Sequence, residues 1–377
     1  MPATEPNNFF SERRSFTEIR QELFDKYFDD WCRIRLHALK EKNYEAIAFI
    51  DLHASNGQAL EESPEFSVDH YIPLYKSIVK RPLLNKIMRT YFHDKSKDVL
   101  EHLCDGKKTL PYYEELTHSP VPLTNTEERA LLAETLMVDC PSLIFIDPFQ
   151  SAFAQQMLLE TVNTWHSDLF MLISPENITK AVSAGKAGKP LTELLGDRLQ
   201  KISNYCRKEK DKERRQPFIL DNFISSLQEK GHFTLLFNIS LPEQEQPEDY
   251  LLFSSPDFLA YSTFKQIILP YSTFQEEDIP EFFANKLQRS QLSLFEQKPE
   301  FTLQNLLVRV TDKAGIYKYK SIDKIYEMDS GCTNYIRENY ITAFEQLRKA
   351  GKIELLNPIT MQSIRQPTLT SIVKYKL

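Results

Sequence analysis

Three aspartates close apolar runs, and their placement suits the handling of a nucleotide-like ligand. Asp51 ends Ala46-Ile47-Ala48-Phe49-Ile50, Asp94 follows the run 87–92 through His93, and Asp147 ends Ser142-Leu143-Ile144-Phe145-Ile146. A short, uninterrupted apolar run reads as a buried parallel strand, and ligands in such sheets sit beyond the carboxyl ends of the strands. After Asp51, His53 and Ala54 lead into Ser55-Asn56-Gly57, a turn whose backbone N–H groups can approach a ligand. Asp94 stands where an acid accepts both hydroxyls of a ribose. Asp147-Pro148-Phe149-Gln150 offers an acid and a backbone carbonyl to accept hydrogen bonds from an amine, and a ring to stack on its plane. Such groups act by positioning. Each also has a plain structural reading: an aspartate at a strand end caps the next turn, Asp94 is a surface acid beside Lys95, and Asp-Pro is a common turn.

The surrounding elements must hold these acids in one layer. Ile19, Leu23, Tyr27, Trp31, Ile34 and Ala38 recur at helical spacing after a loose start and Arg13-Arg14, so 1–44 reads as a helical arm. Residues 58–86 read as a polar insertion with a helical stretch around Tyr71, Leu74 and Ile78. Helices are expected near 95–104, 127–138 and 151–166, the second opened by Thr124-Asn125-Thr126 with Glu127 and Glu128 in its first turn. A strand follows at 168–173. Strands alternating with helices of this length imply a parallel sheet with right-handed crossovers. The segment 107–125 gives no clear strand. Residues 190–230 read as helical, with the mixed charges of 207–215 as a solvated stretch between two helices.

The rhythm then changes. Residues 233–240 and Tyr250-Leu251-Leu252-Phe253 are strands joined by a loop too short for a crossover helix, so they must pair antiparallel. Beyond a boundary at 278–290, helices are expected at 302–310, 322–328 and 340–349, then strands at 352–356 and 370–376. Three helices and a hairpin make a winged-helix pattern whose last helix can enter a major groove, with Arg348, Lys349 and Lys352 as its basic patch. Winged helices also dock proteins.

Composition narrows the classes. A net charge of −7 argues against a globally basic nucleic-acid coat, while leaving room for a local patch. Five cysteines, odd in number and without a C-x-x-C pair, give no disulfide framework and no cysteine-based metal site. No run of about 18 apolar residues and no apolar signal core occurs, so a cytoplasmic protein is expected.

A parallel sheet closed by an antiparallel pair is the architecture of class I methyltransferases that use S-adenosylmethionine. The expected fold is therefore α/β, Rossmann-like, with arm 1–44, sheet domain 45–280 and a winged-helix-like domain 285–377. The chain resembles the three-Cys-motif partner family. The likeness is carried by Phe9-Phe10 to Arg14 with Lys26-Tyr27 and Trp31, by 49–57, by Ile144-Phe145-Ile146-Asp147-Pro148-Phe149, and by Tyr250–Phe253 with Phe264-Lys265. It spans nearly the whole chain in short motifs. Ser55 and Asn56 stand where the family shows Gly-Pro, and Gln150 where it shows Gly.

The resemblance implies a methyltransferase-like fold and a partner, a radical-S-adenosylmethionine-like protein with a three-cysteine motif. On this reading Asp51, His53, Ser55, Asn56, Gly57 and Asp94 bind S-adenosylmethionine, and Asp147, Pro148 and Phe149 position an amine on a nucleic-acid-associated target. A second reading makes the chain a scaffold with a degenerate loop, docking a partner or DNA through its C-terminal domain. A third, a hydrolase or nuclease, requires Asp51, Asp94 and Asp147 to converge on a metal.

Overall fold

The computed structural model describes residues 15–42, 44–54, 68–137, 140–149, 151–164, 167–183, 187–239, 250–284 and 300–376. The chain divides into two compact units, Phe10–Ile268 and a second that takes in Leu269–Leu377.

In the first unit, helix α1 (Phe16–Ala38) is started by a capping box in which Ser15 and Glu18 satisfy each other's backbone donors. Its apolar stripe is buried, with Leu23, Tyr27 and Trp31 fully enclosed. Phe24 meets Phe49, Phe145 and Phe170 at ring distances of 5.6, 5.4 and 5.2 Å. These rings stand on β1 (Ile47–Asp51), β4 (Ser142–Ile146) and β5 (Ser167–Ile173), so α1 lies across the middle of the sheet. Burying one such ring contributes about 1.5–3 kcal/mol. The helix is also tied down by charge: Asp168 accepts from Arg35 Nη2 at 2.9 Å, Tyr27 Oη at 3.3 Å and Ser255 Oγ at 2.5 Å. Residues 16–38 are therefore part of the sheet unit, not a separate arm.

The remaining strands of this unit are β2 (Met88–Phe92), β3 (Val121–Pro122), β6 (Phe233–Ile239) and β7 (Tyr250–Ser255). The order is β3-β2-β1-β4-β5-β7-β6. The first five run parallel, and β7 pairs antiparallel with both β5 and β6. The helices are α2 (Ile72–Val79), α3 (Pro82–Asn85), α4 (Lys97–Lys108), α5 (Thr126–Met137), α6 (Ala152–Thr164), α7 (Pro175–Ser183), α8 (Lys189–Leu195), α9 (Asp197–Lys208), α10 (Lys212–Gln228) and α11 (Phe258–Ile268). The register sets the site: Asp51 lies level with Phe92 on β2 and Phe145 on β4. Asp94 and Asp147 are each two residues further on, so the three acids stand at neighbouring strand ends in the order Asp94, Asp51, Asp147.

The second unit holds α12 (Leu303–Asp312), α13 (Ala314–Tyr317), α14 (Ile322–Asp329), α15 (Arg337–Lys349) and the antiparallel strands Ile353–Leu356 and Ile372–Tyr375. Ser321, just before α14, forms an antiparallel bridge to Ile372. Asp329 is the hub. Its side chain is fully buried and accepts from Arg309 Nε (2.8 Å), Lys313 Nζ (2.7 Å), Tyr317 Oη (2.8 Å) and Tyr340 Oη (2.7 Å). One carboxylate thus joins α12, α13, α14 and α15.

Candidate functional site

The three strand-end aspartates make the same local turn. Asp51 Oδ1 accepts from His53 N at 2.9 Å, Asp94 Oδ1 from Ser96 N at 3.0 Å, and Asp147 Oδ1 from Phe149 N at 2.9 Å. Each carboxylate caps the backbone two residues on, as aspartates do in turns. The turn fixes each carboxylate at its strand end. Asp51, Asp94 and Pro148 are buried, while Asp147 and Phe149 are partly exposed.

Asp51 is the most heavily engaged. Its Oδ2 accepts from Tyr71 Oη at 2.6 Å. Above this pair, Lys107 reaches in from the last turn of α4 with its Nζ 3.5 Å from the Tyr71 ring centre and 3.2 Å from that of Phe92. Lys107 is 1 % exposed, and its amine has no hydrogen-bond partner among the described residues. The amine is packed between the faces of these two rings. Burial pushes the Asp51 carboxyl above the usual carboxylate range, with Lys107 and the bonds from Tyr71 and His53 opposing. Burial pulls the Lys107 amine well below its ordinary value, with Asp51 opposing. Both groups are driven toward their neutral forms. A cavity of about 10 Å³ lies beside Asp51, lined by Gln21, Phe24, Phe49, His70, Tyr71, Leu74 and Phe145, which is room for about one water.

His93 crosses between the first two strand ends. Its N–H donates to Asp51 O at 2.7 Å, its O accepts from Ala54 N at 3.1 Å, and its Nδ1 pairs with Leu123 O at 2.9 Å. Burial lowers its pKa, so the neutral ring is favoured. At the third strand end, the Phe149 ring packs on Phe223 of α10 at 5.9 Å.

Of the expected cofactor residues, Asp51, His53 and Asp94 are brought together at one edge of the sheet, and Asp147, Pro148 and Phe149 follow the next strand. Ser55, Asn56, Gly57 and Gln150 lie outside the described residues, as do Arg13 and Arg14. Among the described residues no group of three or more His, Cys, Asp or Glu side chains could hold a metal ion, so the three aspartates do not converge on one. Tyr71 and Lys107 were not expected here. Lys107 had a signal: it continues the buried spacing of Val99, Leu100 and Leu103 on α4.

The expected basic patch of the second unit is not a uniform stripe. Arg348 buries its Nε, Lys349 pairs with Glu345 at 3.0 Å, and Lys352 is exposed. Glu338 and Glu345 share the outward side of α15 with them.

Among the described residues no helix is long and apolar enough to cross a membrane. No protein-family model matches the chain, and no curated protein matches it either. Among solved structures, the chain is similar to the methyltransferase domain of bacterial-CtHen1-CN at 12% identity and a TM-score of 0.29. That match covers 62% of this chain and 98% of the other. A likeness at that level carries no argument about this chain's chemistry.

Proposed function

We propose that the carboxyl edge of the sheet is a nucleotide-type cofactor site of the class I methyltransferase kind, taking S-adenosylmethionine. The observation that carries the reading is the row Asp94, Asp51, Asp147, each held by its own turn at the end of a neighbouring parallel strand. The closing antiparallel β6–β7 pair supports it. Asp94 suits the ribose, since Ser96 N–H fixes its carboxylate at the end of β2. Asp51 orders the turn at His53, just ahead of Ser55-Asn56-Gly57 in sequence. The donor set therefore fits such a group. When bound, S-adenosylmethionine would supply an electrophilic methyl group for transfer to an amine. Asp147 and the Pro148-Phe149 backbone would orient that amine, and the Phe149 ring would form one wall.

The methyl acceptor is proposed to be an amine on a nucleic-acid-associated target, and the partner a protein with a three-cysteine motif. In the second unit, the order α12, Ser321 bridge, α14, α15 and two strands supports a winged-helix-like module. One observation favours a non-catalytic scaffold instead: the Asp51 carboxylate is already satisfied by Tyr71 and His53.

Titration calorimetry of the full chain with S-adenosylmethionine tests the reading. Binding that weakens at least tenfold in Asp94→Asn is the expected result. No heat at millimolar ligand, with the chain folded, would leave the scaffold reading.

A further inference from the structure

The second unit carries an exposed basic and aromatic face that the strand-end site does not use. Residues 300–376 contain twelve lysines and arginines against eight aspartates and glutamates, in a chain whose net charge is −7. Part of that excess sits in two Lys-Tyr-Lys segments, 318–320 and 374–376, that the fold brings side by side. Tyr319 N donates to Val373 O at 2.7 Å, Val373 N donates to Lys320 O at 2.9 Å, and Ser321 bridges Ile372. The segment 319–321 is thus a third edge to the pair Ile353–Leu356 and Ile372–Tyr375. The two inner tyrosines turn inward: Tyr317 donates to Asp329 and Tyr375 Oη donates to Val310 O at 2.8 Å. Tyr319 does the opposite. It is 52% exposed, makes no ring–ring contact among the described residues, and has Lys318 Nζ 5.5 Å from its ring centre. Lys318 is exposed beside it, Lys374 and Lys376 are about half exposed, and Glu354 between these last two is the single acid they share.

The backbone makes Tyr319 notable. Its φ is +61°, a conformation that favours glycine and strains a bulky side chain. Such strain persists where the surrounding structure over-determines it, and it clusters at ligand clamps. About half of the side chain is open to solvent, and among the described residues no other ring packs on it. An aromatic ring held outward between lysines offers a flat face to a base and cations to the flanking phosphates. In a duplex the faces of the bases are already covered by their neighbours, so the arrangement suits unpaired bases.

We infer that the Lys318-Tyr319-Lys320 face, with Lys374 and Lys376, binds single-stranded nucleic acid by stacking a base on Tyr319. This deepens the nucleic-acid part of the proposed function but does not depend on cofactor binding at the strand ends.

Fluorescence anisotropy of the full chain with labelled twelve-nucleotide oligouridylate, oligothymidylate and a twelve-base-pair duplex tests it. One or both single strands should bind more tightly than the duplex, and the pair of strands tells RNA from DNA. Tyr319→Gly relieves the backbone strain while removing the ring, so it should keep or raise the melting temperature and weaken single-strand binding about 5- to 150-fold. Tyr319→Phe should keep affinity near wild type. Lys318→Ala with Lys320→Ala should flatten the logarithmic salt dependence by about 0.7 for each phosphate no longer neutralised. Wild-type affinity in Tyr319→Gly, equal binding of duplex, or displacement by polyglutamate as effective as by oligouridylate would each overturn the inference. Loss through Arg348→Ala with Lys349→Ala alone would also overturn it, moving the binding face to α15. A chain that binds S-adenosylmethionine but no single strand loses this inference only.

Discussion

The phenol of Tyr71 donates to the carboxylate of Asp51 across 2.6 Å, which ties the turn before α2 to the end of β1. The bond is buried, so its loss leaves the Asp51 oxygen without this donor. Tyr71→Phe should destabilise the chain by about 1–3 kcal/mol. The same change in an Asp51→Asn background should lower stability by less, because the partner is already altered. Urea titration of the four proteins measures the coupling; strict additivity would mean that the two side chains act independently.

Lys107 is a buried amine without a hydrogen-bond acceptor among the described residues, and its neutral form is favoured. The folded state therefore binds fewer protons here than the unfolded chain does below the ordinary lysine value of 10.5. Stability from this group rises with pH up to that value. Lys107→Met keeps the packing between Tyr71 and Phe92 and removes the amine. A melting temperature about 2–4 °C higher at pH 7, with a flatter dependence on pH, is expected. A fall of several degrees would show instead that the amine is charged and pairs productively with Asp51.

Asp25, on α1, titrates in an unusual range. Burial pushes its carboxyl up to about 7, with the Gln21 bond opposing and Glu22 adding to the rise. Its folded pKa lies above the unfolded value of 3.8, so the stability it contributes falls as pH rises between those two values. Asp25→Asn should remove that slope, and the variant should melt higher than wild type at pH 8. Parallel pH profiles for the two proteins would contradict this.

Asp329 has the opposite sign. Its four donors hold the carboxyl below the usual carboxylate range, against the effect of burial. That stability is present above the ordinary value of 3.8 and is lost as pH falls through the lowered one. Removing the carboxylate strands Arg309 and Lys313 beside a buried site. Asp329→Ala should destabilise the second unit by about 3–5 kcal/mol, read by hydrogen exchange of α12, α14 and α15. Exchange unchanged from wild type would remove the hub role.

Much of the sheet was legible because its strands are buried on both faces and read as unbroken apolar runs, as at 46–51 and 142–146. The closing antiparallel pair was legible from loop length alone. β3 was not, since Val121–Pro122 is two residues long and leaves no pattern. α1 read as an arm because periodicity shows an apolar stripe without showing what covers it; Phe24 against three strands answers that. The strand-end acids were visible by position. Their partners were not, because Tyr71 and Lys107 lie 20 and 56 residues from Asp51 in sequence and only the crossovers bring them back. The two Lys-Tyr-Lys segments are likewise 56 residues apart and meet only through the Ser321–Ile372 bridge.

The ends of β1 and β2 are proposed to hold S-adenosylmethionine. Ultraviolet crosslinking of methyl-labelled S-adenosylmethionine to the full chain, followed by peptide mapping, tests it most directly. The expected result is label in the peptides spanning 47–54 or 88–96, suppressed by excess unlabelled ligand and reduced in Asp94→Asn. Label confined to the second unit, or none that unlabelled ligand suppresses, would contradict it.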